Sequence, residues 1–104
     1  MDISDIIQAS QSNRVKWTRH ILDRIARRAL GRSDVLWAIQ SGEIIEEYSD
    51  DFPYPSCLIY GLTQNGRAVH VVCGFDGETI WLISVYFPDA EKWDSQLMIR
   101  KDVE

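Results

Sequence analysis

Residues 57–87 read CLIYGLTQNGRAVHVVCGFDGETIWLISVYF, and this stretch decides the fold. It contains three runs rich in β-branched and aromatic residues, separated by the dipeptides Asn65-Gly66 and Asp76-Gly77. Either dipeptide between two such runs is a strong signal for a two-residue hairpin turn. The sequence therefore predicts three consecutive antiparallel strands, over residues 57–64, 67–75 and 78–87.

One more strand is expected upstream. Residues 43–48, EIIEEY, combine β-formers with an acidic pattern and predict a first strand. The segment 49–55, SDDFPYP, predicts a loop, because Pro53 and Pro55 cannot donate to a central ladder. The sheet is therefore expected to hold about four antiparallel strands.

The residues before the sheet show helical spacing of apolar side chains. Thr18 is a suitable N-cap for a helix over roughly residues 19–30, and Gly31 is a suitable stop. Ser33 is a suitable cap for a second helix over roughly residues 34–41. Two helices followed by an antiparallel sheet predict an α+β fold with the helices packed on one sheet face.

The ends of the chain lie outside this core of about residues 14–94. Residues 1–13 predict a helical extension that either docks loosely or extends away, and Val15 to Trp17 predicts a short extended stretch. In the C-terminal part, Trp93 is expected to anchor a turn to the core, and residues 95–104 form a tail. A chain of 104 residues with 45% hydrophobic content fits a single domain.

Neither a membrane span nor a secretory signal is expected. No apolar run approaches the length of about 20 residues that a transmembrane helix needs. The first residues begin with an acid and lack a basic segment before an apolar one. We therefore expect a cytoplasmic protein that does not contact a membrane.

Positive charge is concentrated in one segment of an acidic chain. Residues 14–32 hold seven basic side chains and one acid, whereas the whole chain carries a net charge of −5. Proteins that bind nucleic acid through many phosphate contacts are usually basic overall. Any RNA or DNA role must therefore depend on this local segment or on a partner protein.

Within that segment, His20, Arg24 and Arg28 are spaced four residues apart. This spacing aligns them on one face of a helix. An imidazole can act as a base or bind phosphate, and two guanidinium groups can stabilise the charge that develops on a phosphoryl group. A solvated helix face with an incidental histidine explains the same pattern, and the sequence leaves both interpretations open.

His70 lies in the predicted strand 67–75. By alternation its side chain shares a face with Val72 and lies opposite Val69. If the helices cover the Val69 face, His70 lies on the open face and is available to a ligand. A half-buried structural histidine remains the alternative.

Tyr86 ends the last long strand. Strict alternation places it on the same face as Ile80 and Leu82, and apolar residues on both faces predict an interior strand. Its hydroxyl could donate to a phosphate, or its ring could be part of the core.

Other classical sites lack their minimum parts. Cys57 and Cys73 lie in apolar strand-like runs and are expected to be reduced core thiols. The acids of residues 43–51 are expected to be solvated edge charge rather than a metal site. The chain has no P-loop, dinucleotide-binding, nucleophile-elbow or zincin motif. We therefore expect neither a metal nor a cofactor.

The ordered set of His20-x3-Arg24-x3-Arg28, GEIIEEY, FPYPSCLIYG, GRAVHVV, ISVYFPD and Trp93 resembles the domain-of-unknown-function 4258 family. The similarity covers about residues 14–94. That family is similar to BrnT and, more distantly, to the RelE/ParE-like toxins. The resemblance implies a RelE-like fold and the toxin half of a type II toxin–antitoxin pair. It also implies a metal-independent endoribonuclease acting on mRNA. Its expected partners are a zinc-finger or helix-turn-helix antitoxin and the mRNA or the ribosome.

The alternative interpretation is a non-catalytic binding module or degenerate toxin whose basic helix docks an acidic protein. On the toxin interpretation, the candidate residues fall into two classes. The candidate catalytic residues are His20, Arg24, Arg28, His70 and Tyr86, and the candidate RNA-binding residues are Lys16, Arg27 and Arg67.

Overall fold

The computed structural model describes residues 1–101, and the last three residues of the predicted tail lie outside the described residues. Three helices and five strands make up this part of the chain. Their order is α1 (Ile3–Gln11), β1 (Val15–Trp17), α2 (Arg19–Arg27), α3 (Arg32–Gln40), β2 (Glu43–Tyr48), β3 (Ser56–Leu62), β4 (Ala68–Phe75) and β5 (Ile80–Tyr86).

The strands form one mixed sheet in the order β1-β5-β4-β3-β2. Strands β2 to β5 are the predicted antiparallel set. The extended stretch Val15–Trp17 is a fifth strand, parallel to β5. The prediction of about four strands missed it, because three residues are too few to show strand periodicity. With β1 on one side and β4 on the other, β5 is interior, as its two apolar faces predicted.

The hairpin turns differ from the prediction in detail. At the first, the Thr63 amide donates to the Arg67 carbonyl at 2.9 Å, so three residues form the loop, and Gly66 closes it with φ of 83°. The predicted two-residue turn at Asn65-Gly66 is therefore wrong. A three-residue loop that ends in a left-handed glycine is the next most common hairpin connection. The turn after β4 uses Gly77 with φ of 98°.

A β-bulge in β5 changes which side chains share a face. The pairing of β4 with β5 shifts register and leaves Ile83 without an opposite residue. Ile80 and Leu82 before the bulge are buried in the helix-covered core, whereas Tyr86 lies opposite His70 on the other face. The predicted common face of Tyr86 with Ile80 and Leu82 is therefore wrong, because strict alternation cannot anticipate an inserted residue.

Thr18 caps α2 as predicted and ties it to the sheet. Its hydroxyl oxygen accepts from the Ile21 amide at 3.3 Å and donates to the Leu82 carbonyl at 2.6 Å. The helix ends earlier than expected, at Arg27. Ala29 adopts a left-handed φ of 54° and closes the end before Gly31 is reached.

The cap of α3 is Gly31 rather than the predicted Ser33. The Asp34 carboxylate accepts from the Gly31 amide at 2.9 Å, which satisfies one of the donors left free at the helix start. This contact fixes the first turn two residues earlier than the Ser33 signal suggested.

The main hydrophobic core lies between the helices and one sheet face. α3 approaches β3 so closely that a Cβ atom on Gly61 would lie 1.9 Å from the Ala38 carbonyl oxygen. α1 docks into the same core, because Ile6 and Ala9 are fully buried. No helix among residues 1–101 is long and apolar enough to cross a membrane.

The other sheet face is covered by irregular segments rather than helices. The loop between β2 and β3 lies over one part, since the Tyr54 ring stacks on Trp81 at a centroid distance of 5.6 Å. Residues 93–100 lie over another part, and Trp93 pairs with Arg100 in an isolated bridge. Trp93 is 2% exposed, which confirms it as the anchor of the C-terminal turn.

Candidate functional site

The predicted histidine–arginine ridge forms on α2. His20 is exposed and Arg24 is half-buried on one face of α2, and the half-buried Arg28 follows one turn later as the C-cap residue. The Arg24 Nε–H donates to His20 Nε2 at 3.3 Å. This contact requires an unprotonated Nε2, so the neutral ring carries its proton on Nδ1. The three side chains, called the α2 ridge below, thus place an accessible imidazole among guanidinium groups.

The other predicted basic residues near α2 are less organised. Arg27 pairs with Asp23 at 2.9 Å, and both side chains are largely exposed. Such a pair contributes little to stability and leaves its charges screened by solvent. Lys16 is exposed on the edge strand β1.

A cleft of about 180 Å³ lies where α2 ends and the β3–β4 hairpin turns. Arg28 of the ridge and Arg67 of the hairpin both line it. The Arg67 guanidinium stacks on the Phe87 ring, 3.5 Å from its centroid, which leaves the edge of the guanidinium free to donate. The remaining lining residues of this arginine cleft are Ala29, Leu30, Asp34, Thr63 and Asn65.

A second cleft, of about 310 Å³, adjoins the first through Phe87, which lines both. In it the Arg100 guanidinium stacks on the Trp93 ring at 4.6 Å. Cations interleaved with aromatic rings are typical of surfaces that bind single-stranded nucleic acid. The lining residues of this aromatic cleft are Tyr86, Phe87, Asp89, Lys92, Trp93 and Arg100.

His70 lies on the sheet face that alternation predicted, but that face is not open at this position. The side chain is fully buried. Its Nε2 lies 2.7 Å from the Leu97 carbonyl oxygen and its Nδ1 lies 3.2 Å from the Tyr86 hydroxyl. Because a carbonyl only accepts, Nε2–H donates to Leu97 and Nδ1 accepts from Tyr86. The Trp93 ring packs edge-on at 4.5 Å and completes the buried histidine cluster.

Local chain geometry brings the Leu97 carbonyl to the ring. The Asp94 carboxylate accepts from the Met98 amide at 3.0 Å, and the Leu97 amide donates to the Asp94 carbonyl at 2.9 Å. Leu97 takes a left-handed φ of 62°, which is uncommon for a leucine. The bond to His70 is therefore one of the contacts that hold this strained turn in place.

The pKa values agree with a structural role for this cluster. Burial lowers the pKa of His70, so the ring is neutral at neutral pH. Burial also raises the pKa of Tyr86. With both ring nitrogens engaged, His70 has no free position to exchange a proton with a ligand.

An ion pair closes the C-terminal segment over the cluster. Arg100 Nε lies 3.0 Å from Oε2 of Glu46, and the other carboxylate oxygen of Glu46 accepts from the Tyr48 hydroxyl. Burial and the bond to Glu46 raise the pKa of Tyr48 to about 12. Strand β2 and the C-terminal segment are thereby joined across the outer sheet face.

The five candidate catalytic residues thus form two groups rather than one. His20, Arg24 and Arg28 lie on the α2 ridge, and Arg28 shares the arginine cleft with Arg67. His70 and Tyr86 form the buried cluster. The prediction of an accessible His70 is wrong, because alternation gives the face of a residue but not what covers that face.

The structure also adds residues that sequence reasoning missed. Phe87, Lys92 and Arg100 line the clefts next to the ridge. The only sequence signal was the placement of aromatic residues beside basic ones near the C-terminus, and it did not indicate proximity to α2.

Residues 1–101 hold no group of three or more histidine, cysteine, aspartate or glutamate side chains that could bind a metal ion. The thiols of Cys57 and Cys73 face each other across β3 and β4, with their Sγ atoms 3.7 Å apart and both side chains fully buried. The contact with Cys57, together with burial, raises the pKa of Cys73 well above its ordinary value. Both cysteines are free thiols in the core.

Comparison with known proteins gives one assignment. Searches of curated proteins and of solved structures found no match. One family model, described as a domain of unknown function (DUF4258), matches residues 17–87. That range runs from the end of β1 to Phe87 and includes the α2 ridge, Arg67 and the buried histidine. The chain therefore belongs to the DUF4258 family.

Proposed function

We propose that this chain is the toxin component of a type II toxin–antitoxin pair and a metal-independent endoribonuclease that acts on mRNA in the cytoplasm. One observation carries the proposal. The accessible imidazole of His20 accepts a hydrogen bond from Arg24, and Arg28 of the same ridge lines a cleft together with Arg67. A similarity of the DUF4258 family to BrnT and the RelE/ParE-like toxins supplies the reaction class, by analogy.

The chemistry proposed for the ridge needs no cofactor. When an RNA phosphate attracts Arg24, His20 Nε2 loses its intramolecular donor and can accept the proton of a 2′-hydroxyl. The 2′-oxygen then attacks the adjacent phosphorus atom, and the bond from phosphorus to the 5′-oxygen breaks. The leaving oxygen takes a proton from water, and the protonated imidazole of His20 gives its proton to the hydroxide that remains. The products are a 2′,3′-cyclic phosphate and a 5′-hydroxyl end.

The arginines supply the charge that this step requires. Negative charge increases on the phosphoryl oxygens in the transition state, and preorganised guanidinium groups stabilise it. Arg24 lies directly beside the imidazole, and Arg28 follows one turn later as the C-cap of α2. Arg27 and Lys16 add exposed positive charge on and beside α2 and are proposed to hold flanking phosphates.

The two adjoining clefts are proposed to hold the strand beyond the cleaved bond. In the arginine cleft, Arg28 and Arg67 can bind a phosphate, because the stacked Arg67 keeps its donors at its edge. The aromatic cleft offers Lys92 to a phosphate and the half-buried rings of Tyr86 and Phe87 to a base. The cations that line these two clefts are proposed to bind RNA locally, although the whole protein carries net negative charge.

In this proposal His70 and Tyr86 position the C-terminal segment and transfer no proton. Their hydrogen bonds hold the turn that carries Trp93 and Arg100, which line the aromatic cleft. His70 and Tyr86 thus affect RNA binding only through the positions of Trp93 and Arg100. The antitoxin, of zinc-finger or helix-turn-helix type, is proposed to neutralise the toxin by covering the ridge.

The second candidate function is a non-catalytic binding module, or a degenerate toxin, whose basic helix docks an acidic protein. One observation favours it: the second histidine, which could have served as the general acid, is buried with both nitrogens bonded. Without a general acid, the α2 ridge would bind a partner but would not cleave RNA.

Expression in a bacterial host tests the proposal. We expect the wild-type chain to arrest growth, and His20→Ala and Arg24→Ala to relieve the arrest. Arg19→Ala is the matched control, because it removes the same charge from α2 at an exposed position off the ridge. If the wild-type chain neither slows growth nor cleaves RNA when purified, the enzyme proposal is wrong. Tight capture of an acidic protein, without RNA loss, would then support the binding module.

A further inference from the structure

We propose that the groove between the β2–β3 loop and β5 binds a short basic segment of a partner protein through an apolar anchor. This partner groove has a volume of about 200 Å³ and lies apart from the α2 ridge and the two clefts. The inference does not depend on RNA cleavage. The groove is lined by Thr18, Asp51, Phe52, Pro53, Tyr54, Ser56, Gly74, Trp81 and Ile83.

The floor of the groove is preformed. The Tyr54 ring stacks on Trp81 at a centroid distance of 5.6 Å. Gly74 contributes no side chain, and a Cβ atom placed there would contact Trp81 and Ile83 at 3.8 and 3.9 Å. An apolar side chain can therefore approach the strand between these residues without moving them.

Exposed apolar surface is concentrated here. The seven large hydrophobic residues exposed among residues 1–101 include Phe52, Tyr54 and Ile83, all of which line the partner groove. The Phe52 side chain is 95% exposed, so it makes almost no contact within its own chain. A contiguous exposed apolar patch marks an interaction site more often than scattered residues do.

The charge at the groove favours a basic occupant. Among residues 1–101, Asp51 is the only charged residue that lines the groove, and Asp50 precedes it in the same loop. At the β5 side, the Asp76 carboxylate accepts from the Trp81 indole N–H at 3.4 Å. Lys16 lies opposite Trp81 on β1, but it does not line the groove.

Two other occupants fit less well. A second copy of this chain in a symmetric contact would bring two acidic loops together, and like charges would oppose it. A membrane surface with anionic lipids would repel the same carboxylates. A basic segment of a different protein satisfies both the apolar floor and the acidic loop.

The probe is a capped synthetic peptide with two central leucines flanked by lysines on both sides. Titrated into the ¹⁵N-labelled full chain, it is expected to shift the resonances of the Trp81 indole and the Gly74 amide. Two control peptides carry glutamates in place of the lysines or serines in place of the leucines, and neither should bind measurably.

Two substitutions connect the binding to this groove. Phe52→Ala should weaken the lysine–leucine peptide about 10-fold, because it removes an exposed aromatic contact. Asp51→Asn should weaken it about 2- to 5-fold and reduce its salt dependence. Trp37→Ala is the matched control, since it removes an exposed aromatic residue from α3, outside the groove.

The proposal is overturned if the control peptides bind as tightly as the probe, or if no peptide binds. It is also overturned if the shifts map to the acidic strand β2 or if Phe52→Ala leaves the affinity unchanged. Phe52 is almost free of intramolecular contacts, so loss of folding does not complicate that variant.

Discussion

The two histidines of this chain are in opposite environments. His20 is exposed, and its side chain accepts a long hydrogen bond from Arg24 on the same helix. His70 is fully buried, and both of its ring nitrogens are bonded to neighbours from other elements. The difference shows that residue type alone does not define a site. A histidine is available for chemistry only where water or a ligand can reach a ring nitrogen and compete for its hydrogen bond.

The largest effect expected from this comparison is on stability. His70→Ala should lower the free energy of unfolding by about 2–4 kcal/mol, because it leaves a cavity under Trp93 and removes the partner of the buried Leu97 carbonyl. His20→Ala should change it by no more than about 0.5 kcal/mol, since the side chain is exposed. Urea denaturation of the two variants measures both. Equal effects would contradict the assignment of His70 as structural.

The next effect is on the pH dependence of stability. Burial holds the pKa of folded His70 below the ordinary value of 6.5, so below that pH the unfolded chain binds more protons than the folded chain. The stability that the neutral ring contributes is present above pH 6.5 and is lost as the pH falls through the lowered pKa.

Unfolding free energies measured between about pH 5 and 7 test this dependence, because carboxylates titrate mainly below that range. The wild-type protein should lose stability toward the acidic end. His70→Gln keeps a donor but cannot titrate there, and it should lose less over the same range. A wild-type curve that is flat, or parallel to that of His70→Gln, would show that His70 is not buried in its neutral form.

A smaller effect concerns RNA binding at the arginine cleft. Arg67→Ala should weaken binding of a single-stranded RNA and lower the slope of log affinity against log salt by about 1, as expected for the loss of one phosphate contact. Arg14→Ala is the matched control, because Arg14 is exposed and bonds the Glu78 carbonyl away from the clefts. Fluorescence anisotropy at several salt concentrations measures the slope. An equal loss in both variants would indicate nonspecific attraction only.

The smallest effect concerns the ion pair that closes the C-terminal segment. Arg100→Ala removes a partly exposed ion pair with Glu46 and a stacking contact with Trp93, and it should cost about 0.5–1 kcal/mol. Amide hydrogen exchange of residues 93–100 measures the local opening. Protection in this segment should fall while that of β4 is retained. Unchanged protection would show that Arg100 does not hold the segment.

The helices and the antiparallel strands could be predicted because their signals are local. The cap at Thr18 and the glycines near each hairpin act within a few residues. The three-residue strand β1 could not be predicted, because its pairing partner is β5, far along the chain. The bulge at Ile83 is also a property of two strands together.

The α2 ridge could be predicted for the same local reason, since a helix places residues four apart on one face. The covering of His70 by the C-terminal segment could not be predicted. It depends on a turn about 27 residues further along the chain, where Leu97 adopts an uncommon conformation. The arginine cleft likewise joins the end of α2 to a distant hairpin.

The central claim is that the exposed imidazole of the α2 ridge performs the chemistry. Cleavage of an end-labelled single-stranded RNA by purified protein in the presence of a metal chelator tests it most directly. We expect the wild-type chain and Arg19→Ala to give fragments with 2′,3′-cyclic phosphate ends. His20→Ala should be slower by about 10²- to 10⁴-fold, the usual contribution of general acid–base catalysis. A folded His20→Ala protein that cleaves as fast as the wild type would contradict the claim, as would a wild-type chain that leaves the RNA intact.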